Sequence, residues 1–389
     1  MVLPEIDKGV LTAVVRQALD KPEVDVANWT CLPLPGGFAA DNTIFRVTGN
    51  AIDGTATIPW SVVLKVVVRP DTRTSLDGEA HDRFHDWARE PLAYRSTILT
   101  EMPEGLKAPR CFAVQQPTST SYWLWLEYVP DVLGGSWPLD RYALAARHLG
   151  AFNGGFLSRP CLPQSPWLNR QYLRKYVALG CEVPVMAQIQ DAATWRVPHV
   201  RRLFDPTVAE RLVALWTDTE VFVSTAERLP QTLCHLDAHR RNLLARVGPT
   251  GRQATVAIDW AAIGIDAVGA DAAQFALSTL VFDGVPRGTC QHFAELVFEA
   301  YLEGLQRAGW QGDPRMVRFG FAAFAVVRWG INVAGLVLDN AATEDPAVHA
   351  ETEQWLGRPV NELLERWTAL TYLLLEQAEA ARGLIRSMH

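Results

Sequence analysis

The sequence predicts an α+β chain organised as two lobes, a small antiparallel-sheet lobe first and a larger, mostly helical lobe after it. Three observations predict this. Runs rich in β-branched and aromatic residues crowd the chain before Pro130. The segment Pro130–Pro138, with two prolines and the Gly134–Gly135 pair, reads as a linker. Beyond it, most segments space their apolar residues at helical intervals. The domain boundary is therefore expected between 129 and 130, and 389 residues with 49% hydrophobic content can fill two cores.

Each element follows from local chemistry. Ile6, Val10, Leu11, Val14, Val15 and Ala18 form a helical stripe over Glu5–Leu19, ending before Lys21–Pro22. Thr43–Thr48 and Trp60–Val68 read as antiparallel strands with the turn signal Asp53–Gly54 between them. Asp82–Leu99 turns helical, and Pro91 must start a new segment or kink it. Phe112–Val114 and Tyr122–Val129 return to strand character around the turn-like Gln116–Ser121. In the second lobe the helical segments are Asp140–Phe156, Asn169–Tyr176, Pro206–Leu229, Cys290–Ala308, Pro314–Leu338 and Pro346–Gly383. Thr232–Asp259 interrupts them with two apolar runs around a loop.

Composition narrows the function classes. A net charge of −7 argues against a nucleic-acid partner held by a broad basic surface and against an anionic membrane. The six cysteines show no CxxC spacing and no disulfide framework. Glu5, Asp7, Lys8 and Arg16 break up the first twenty residues, so no secretory leader is expected. Arg328 and Asn332 interrupt the apolar stretch Phe319–Leu338, which reads as a core helix. The protein is expected to be cytoplasmic, as a monomer or homodimer.

The chemistry is concentrated in Leu233–Leu244 and Thr255–Trp260. They set His235, Asp237 and Asn242 in an H-x-D-x-x-x-x-N pattern, with Asp259 ending the apolar run that follows. The first pattern arises by chance in a chain of this length with a probability of about 0.02 from ordinary composition. Phosphoryl transfer from ATP asks little of a protein. It needs a carboxylate to orient the acceptor hydroxyl and take its proton, and a carboxylate and an amide oxygen to hold Mg²⁺. Asp237, Asp259 and Asn242 supply that set.

The His-x-Asp-x-x-x-x-Asn loop and Ile258-Asp259-Trp260 resemble the aminoglycoside phosphotransferase and choline kinase family, relatives of the protein kinases, over roughly Leu32–Leu277. The resemblance implies a bilobal protein-kinase-like fold with ATP as phosphoryl donor and a hydroxyl of a small molecule as acceptor: an aminoglycoside, an amino sugar, a choline-like compound or another hydroxylated metabolite or antibiotic. It makes Asp237 the catalytic base, with His235 bracing its loop, and Asn242 and Asp259 the Mg²⁺ ligands. It also places an Asp, here Asp271, at the opening of the helix after the metal site; by residue chemistry Asp271 is equally a good N-cap for Ala272–Leu280.

The nucleotide half is expected from the sheet lobe. Lys65 lies in the apolar run Val62–Val68, where an ammonium needs a partner. Glu90 is the natural one, with Glu79, Asp82 and Asp86 as substitutes. Gly36–Gly37 between two strand candidates is placed to cover phosphates with backbone N–H groups. Leu124–Pro130 resembles the hinge, where the Glu127 carbonyl and the Val129 N–H would meet adenine. Trp310, Trp329, Asn332, Asp339 and Trp355 are candidates for the acceptor pocket, and Asp266, Glu303 or Asp339 would suit a cationic acceptor. Arg240 and Arg241 depart from the residues common in the family there; each would touch phosphate or lie in solvent. Two rival readings share these residues: a catalytically silent nucleotide-binding module, and a metal-dependent hydrolase using His235, Asp237 and His239. No D-F-G or A-P-E segment points to a protein kinase, and no G-x-S-x-G to a serine hydrolase.

Overall fold

The computed structural model describes residues 4–34, 43–70, 86–103, 105–135, 137–248, 251–283, 285, 290–343 and 345–388. They group into two compact units. The first gathers the described residues up to Gly134 together with Leu244–Ala262, and the second holds Gly135–Leu243 and the chain from Ile263 on. The hairpin that ends at Asp259 thus belongs with the N-terminal sheet.

Five strands form that sheet: β1 (Asp25–Leu34), β2 (Thr43–Asp53), β3 (Ala56–Val68), β5 (Cys111–Thr118) and β6 (Ser121–Glu127). Their order is β1-β2-β3-β6-β5, all antiparallel. β2 and β3 run well beyond the expected Thr43–Thr48 and Trp60–Val68, meeting at a turn on Gly54. One face carries the helix Lys8–Leu19, whose Leu11, Val14 and Val15 pack with Phe45, Val47, Trp60, Val62, Leu64 and Trp125. Each such buried side chain stabilises the fold by roughly 1.5–3 kcal/mol. The opposite face buries Val67, Tyr122, Leu124 and Leu126 under Trp87 and Tyr94. The short helix Arg89–Arg95 supplies Tyr94. Pro91 is its third residue, in the first turn, where no intrahelical N–H bond is lost, so a helical segment begins around it and is not kinked. A small sheet, β4 (Leu106–Lys107), β10 (Gln253–Ala257) and β9 (Leu243–Val247), completes the unit.

The second unit is helical around a three-stranded sheet of β7 (Asn169–Arg170), β11 (Gly264–Ala267) and β8 (Gln231–Cys234). Helix Leu139–Leu157 packs against helix Cys290–Arg307, closely enough that a Cβ on Gly304 would strike the carbonyl of Arg147. Asn169 is in β7 and the helix there starts only at Tyr172. Pro314–Ala341 is long and apolar enough to cross a membrane, but 83% of its most apolar window is buried in the protein, as in a core helix. A π-turn at Val326–Gly330 divides it into Pro314–Ala325 and Ile331–Ala341. No disulfide forms among the six cysteines.

Candidate active site

In the first unit Lys65 pairs in register with Ile44 and Leu124 and is buried. Its Nζ lies 2.6 Å from Glu90 Oε2 and 2.9 Å from Asp259 Oδ1. Burial works against the ammonium, yet the carboxylates of Asp259 and Glu90 outweigh it and raise its pKa. Burial also pushes the Glu90 carboxyl up while the ammonium draws it down. An ammonium held charged by two carboxylates at these distances keeps the pair ionised. Glu90 is further fixed by the N–H of Trp260 at 3.3 Å, and the helix it sits on is tied to the same turn by Arg89 Nη1, which donates to the Ala261 carbonyl at 2.7 Å. Asp259 itself has φ 59°, a left-handed backbone unusual for a non-glycine residue. Glu127 ends β6 opposite Val62, and its side chain binds Arg246 at 2.6 Å. Val129, two residues on, is buried just outside the ladder. Gly36 and Gly37, with Glu79 and Asp82, lie outside the described residues; Asp86 caps its own turn through the Ala88 N–H.

In the second unit the loop after β8 is built on Asp237. Asn242 Nδ2 donates to Asp237 Oδ2 at 2.9 Å and to its carbonyl at 3.1 Å. Gln274 Nε2 reaches Oδ1 at 3.4 Å, and His239 Nε2 is 3.7 Å from Oδ2. The Asp237 side chain keeps 41% of its surface exposed, while His235 is fully buried and its Nδ1 accepts the Asp237 N–H. The amide of Asn242 is spent on Asp237, which leaves its Oδ1 as the oxygen free to face a hard cation. The alternative metal set of His235, Asp237 and His239 is not formed: among the described residues no group of three or more His, Cys, Asp or Glu side chains is arranged to hold a metal ion.

The loop is held by a buried network that the sequence reading only half anticipated. Asp271 accepts the N–H groups of His235 (2.9 Å) and Leu236 (2.8 Å), and Asn153 Nδ2 (3.0 Å). Asn153 in turn donates to the Leu233 carbonyl and accepts from Tyr301 Oη at 2.6 Å. Asp271 is not an N-cap. Its helix, Ala270–Ser278, starts one residue before it and is capped by Gly269, whose φ of 99° suits glycine. A Cβ there would lie 2.5 Å from the Val317 carbonyl oxygen. Leu236, the second of the two anchored residues, has φ 63°, which costs roughly 1–2 kcal/mol for a residue with a Cβ. Asn153 and Tyr301 were not singled out in the sequence; their signal was a polar group inside otherwise apolar helical stripes.

Arg240 is neither solvated nor free for phosphate. It is buried, donates to the Leu243 carbonyl at 3.2 Å, and stacks 4.2 Å over Trp137, with Arg141 4.3 Å from the same ring. Arg241 is half exposed and 3.5 Å from Asp283. The carboxylates expected for a cationic acceptor have internal partners. Asp266 accepts the N–H groups of Tyr172 and Ala267, Glu303 holds Arg147 and Arg307, and Asp339 takes Gln188. Burial raises Asp266 to about 6. It borders a cavity of about 430 Å³ with Arg170, Arg174 and Glu227, which Asp237 does not line. Trp329 is buried beside Arg328, Trp355 is 44% exposed, and Trp310 follows the helix Cys290–Arg307.

A five-stranded antiparallel sheet with a buried Lys–Glu pair, and a helical unit carrying an Asp/Asn loop, define a kinase-like fold of the phosphotransferase class. The phosphotransferase enzyme family (APH) matches residues 30–312, and the chain belongs to it. Among solved structures, an aminoglycoside phosphotransferase from Alicyclobacillus acidocaldarius is 14% identical with a TM-score of 0.51, covering 98% of each chain. Amicoumacin kinase is 11% identical with a TM-score of 0.50, covering 96% of this chain and 94% of its own. Both are similar in fold. A search of curated protein sequences found no match.

Proposed function

We propose that this protein transfers the γ-phosphate of ATP to a hydroxyl of a small molecule. The observation that carries the reading is the loop geometry. Asp237 presents a half-exposed carboxylate whose orientation is fixed by Asn242 and Gln274, on a turn anchored twice to Asp271. Such a group orients an acceptor hydroxyl and takes its proton as the phosphoryl group arrives. With a loose transition state, orientation is the larger part of its contribution. His235 braces the loop through the Asp237 N–H. Lys65, held charged by Glu90, is suited to the phosphates of the nucleotide, and the backbone of Glu127 and Val129 to its base. Asn242 and Asp259 offer the hard oxygens that Mg²⁺ prefers, and the ion would neutralise charge on the phosphates. The amicoumacin kinase structure was obtained with AMP-PNP and Ca²⁺, which supports a nucleotide and a divalent cation as requirements here.

The test is ADP release across a panel of hydroxylated metabolites and antibiotics, with wild type and Asp237→Asn. The variant should bind Mg·ATP as wild type does and lose transfer by about 10²–10⁴-fold. Undiminished turnover in Asp237→Asn would remove the catalytic assignment, and no ADP release with any acceptor would favour a silent nucleotide-binding module.

A further inference from the structure

Arg328 occupies the centre of the π-turn Val326–Gly330, a helix irregularity that recurs at functional sites. Its guanidinium lies 4.3 Å over the ring of Tyr176 and 4.6 Å over that of Trp329, and Nη1 donates to Tyr176 Oη at 3.1 Å. Nε is buried without a hydrogen-bond partner among the described residues. Arg328 forms no ion pair with a described carboxylate. Glu182 is linked to the same phenol by Asn332, whose Nδ2 donates to Tyr176 Oη at 2.7 Å and to Glu182 Oε1 at 3.0 Å. Burial disfavours the guanidinium charge, but the oxygens of Tyr172 and Tyr176 and the carboxylate of Asp237 outweigh it. The cation therefore sits within the electrostatic reach of the proposed base without being tied to it.

The surroundings of Arg328 are aromatic. Trp329 meets Phe282 edge-on at 5.8 Å, and Phe282 meets Trp355 at 5.7 Å. The three rings run from buried Trp329 to exposed Trp355. The residue after Phe282 is Asp283, which holds Arg241 of the Asp237 loop, so this aromatic run flanks the loop itself. A guanidinium set over two rings and hydrogen-bonded to two phenols but to no described carboxylate is a cation suited to receive an anion, and the planar fork of Arg favours a bidentate grip.

We infer that Arg328 is a specificity-determining residue for the acceptor, receiving a carboxylate of a hydroxylated acid whose ring or apolar body lies against Trp329, Phe282 and Trp355. The inference rests on the phosphotransferase reading and narrows it, because a polycationic acceptor would meet a like charge within electrostatic reach of the base.

The test is calorimetric binding of matched probes, 4-(hydroxymethyl)benzoate and mandelate against their amides, with kanamycin as the cationic comparison. Wild type should bind at least one acid about 10-fold or more tightly than its amide. Arg328→Gln should erase that preference and Arg328→Lys retain part of it, with AMP-PNP affinity within about two-fold of wild type in both. Equal affinity of acid and amide in wild type, no binding by either acid, or kanamycin binding more tightly than the acids would each overturn the proposal; none of these needs a variant to fold. AMP-PNP binding and ADP release are scored separately, so failure of the kinase reading is distinguishable from failure of the acid preference.

Discussion

Replacing Asp271 by Asn tests whether the loop around Asp237 is set by this one buried carboxylate. The substitution keeps the shape and exchanges one acceptor oxygen for an NH₂ group. Oδ2 accepts from His235 N and Asn153 Nδ2, and Oδ1 accepts from Leu236 N. An amide placed to lose the fewest bonds turns its NH₂ toward Leu236, so one donor then faces another. That removes a bond to a charged acceptor, about 1.5–3 kcal/mol, and leaves a buried N–H without an acceptor, about 1–3 kcal/mol. Relaxation of Leu236 from φ 63° returns roughly 1–2 kcal/mol. The net expectation is a loss of about 2–4 kcal/mol, read by urea unfolding. The same relaxation displaces Asp237, the next residue, and a shift near 1 Å lowers kcat by about 10²-fold. Nucleotide affinity should stay unchanged, since Lys65 and Glu90 belong to the other unit. An Asp271→Asn protein within about 0.5 kcal/mol of wild type, with full turnover, would refute the anchoring role.

Three further outcomes follow from the same geometry. Lys65→Met leaves Glu90 buried beside Asp259 without its cation and should cost about 3–5 kcal/mol, with Mg·ATP binding lost; a denaturation midpoint equal to wild type would contradict it. Gly269→Ala should cost about 2 kcal/mol or more in thermal or urea unfolding, because φ 99° strains any side chain and the Val317 carbonyl occupies the space. For Asp266 the folded pKa, about 6, lies above the usual 3.8, so the folded state holds its proton more tightly. Its contribution is therefore favourable below about pH 4 and declines as pH rises to 6. The stability difference Asp266→Asn minus wild type should grow by about 2 kcal/mol across that interval and by about 3 kcal/mol from about pH 3 to pH 7. A flat difference would show that the carboxyl titrates normally.

The residues with local signatures were legible in the sequence, and those defined by distant partners were not. Lys65 stood out because an ammonium in Val62–Val68 needs a counter-charge, and the structure supplies two. β2, β3, β5 and β6 announced themselves by β-branched and aromatic content. β1 was legible only as a strand candidate ahead of Gly36–Gly37, without bounds: it is an edge strand, largely exposed, with Pro33 in it, so neither alternation nor burial marks its extent. The helices Val183–Gln190 and Pro198–Leu203 are too short to show a period. Asp271 looked like a cap because chain-local chemistry points there, whereas its partners lie 35 and 36 residues upstream. Arg240 looked solvated because nothing near it in sequence reveals Trp137 as its stacking surface. Asn153 meets Asp271 across 118 residues and Tyr301 across 148, separations at which no periodicity carries information.

The separation between Lys65 and Asp259 also bears on how the chain is made. The two are 194 residues apart, and the first unit includes Leu244–Ala262, so its lysine cluster cannot close until two-thirds of the polypeptide has been translated. At about 5–20 residues per second that interval is roughly 10–40 s. During it the nascent sheet carries an ammonium with Glu90 as the available counter-charge, and β4 waits for β10. Vectorial synthesis thus leaves the small β4 sheet unformed and Lys65 without Asp259 for tens of seconds. A ribosome-bound fragment ending before Gln253 should be more open to protease at β4 than the released chain, and a cut after Gly134 would leave the sheet unit without β9, β10 and Asp259.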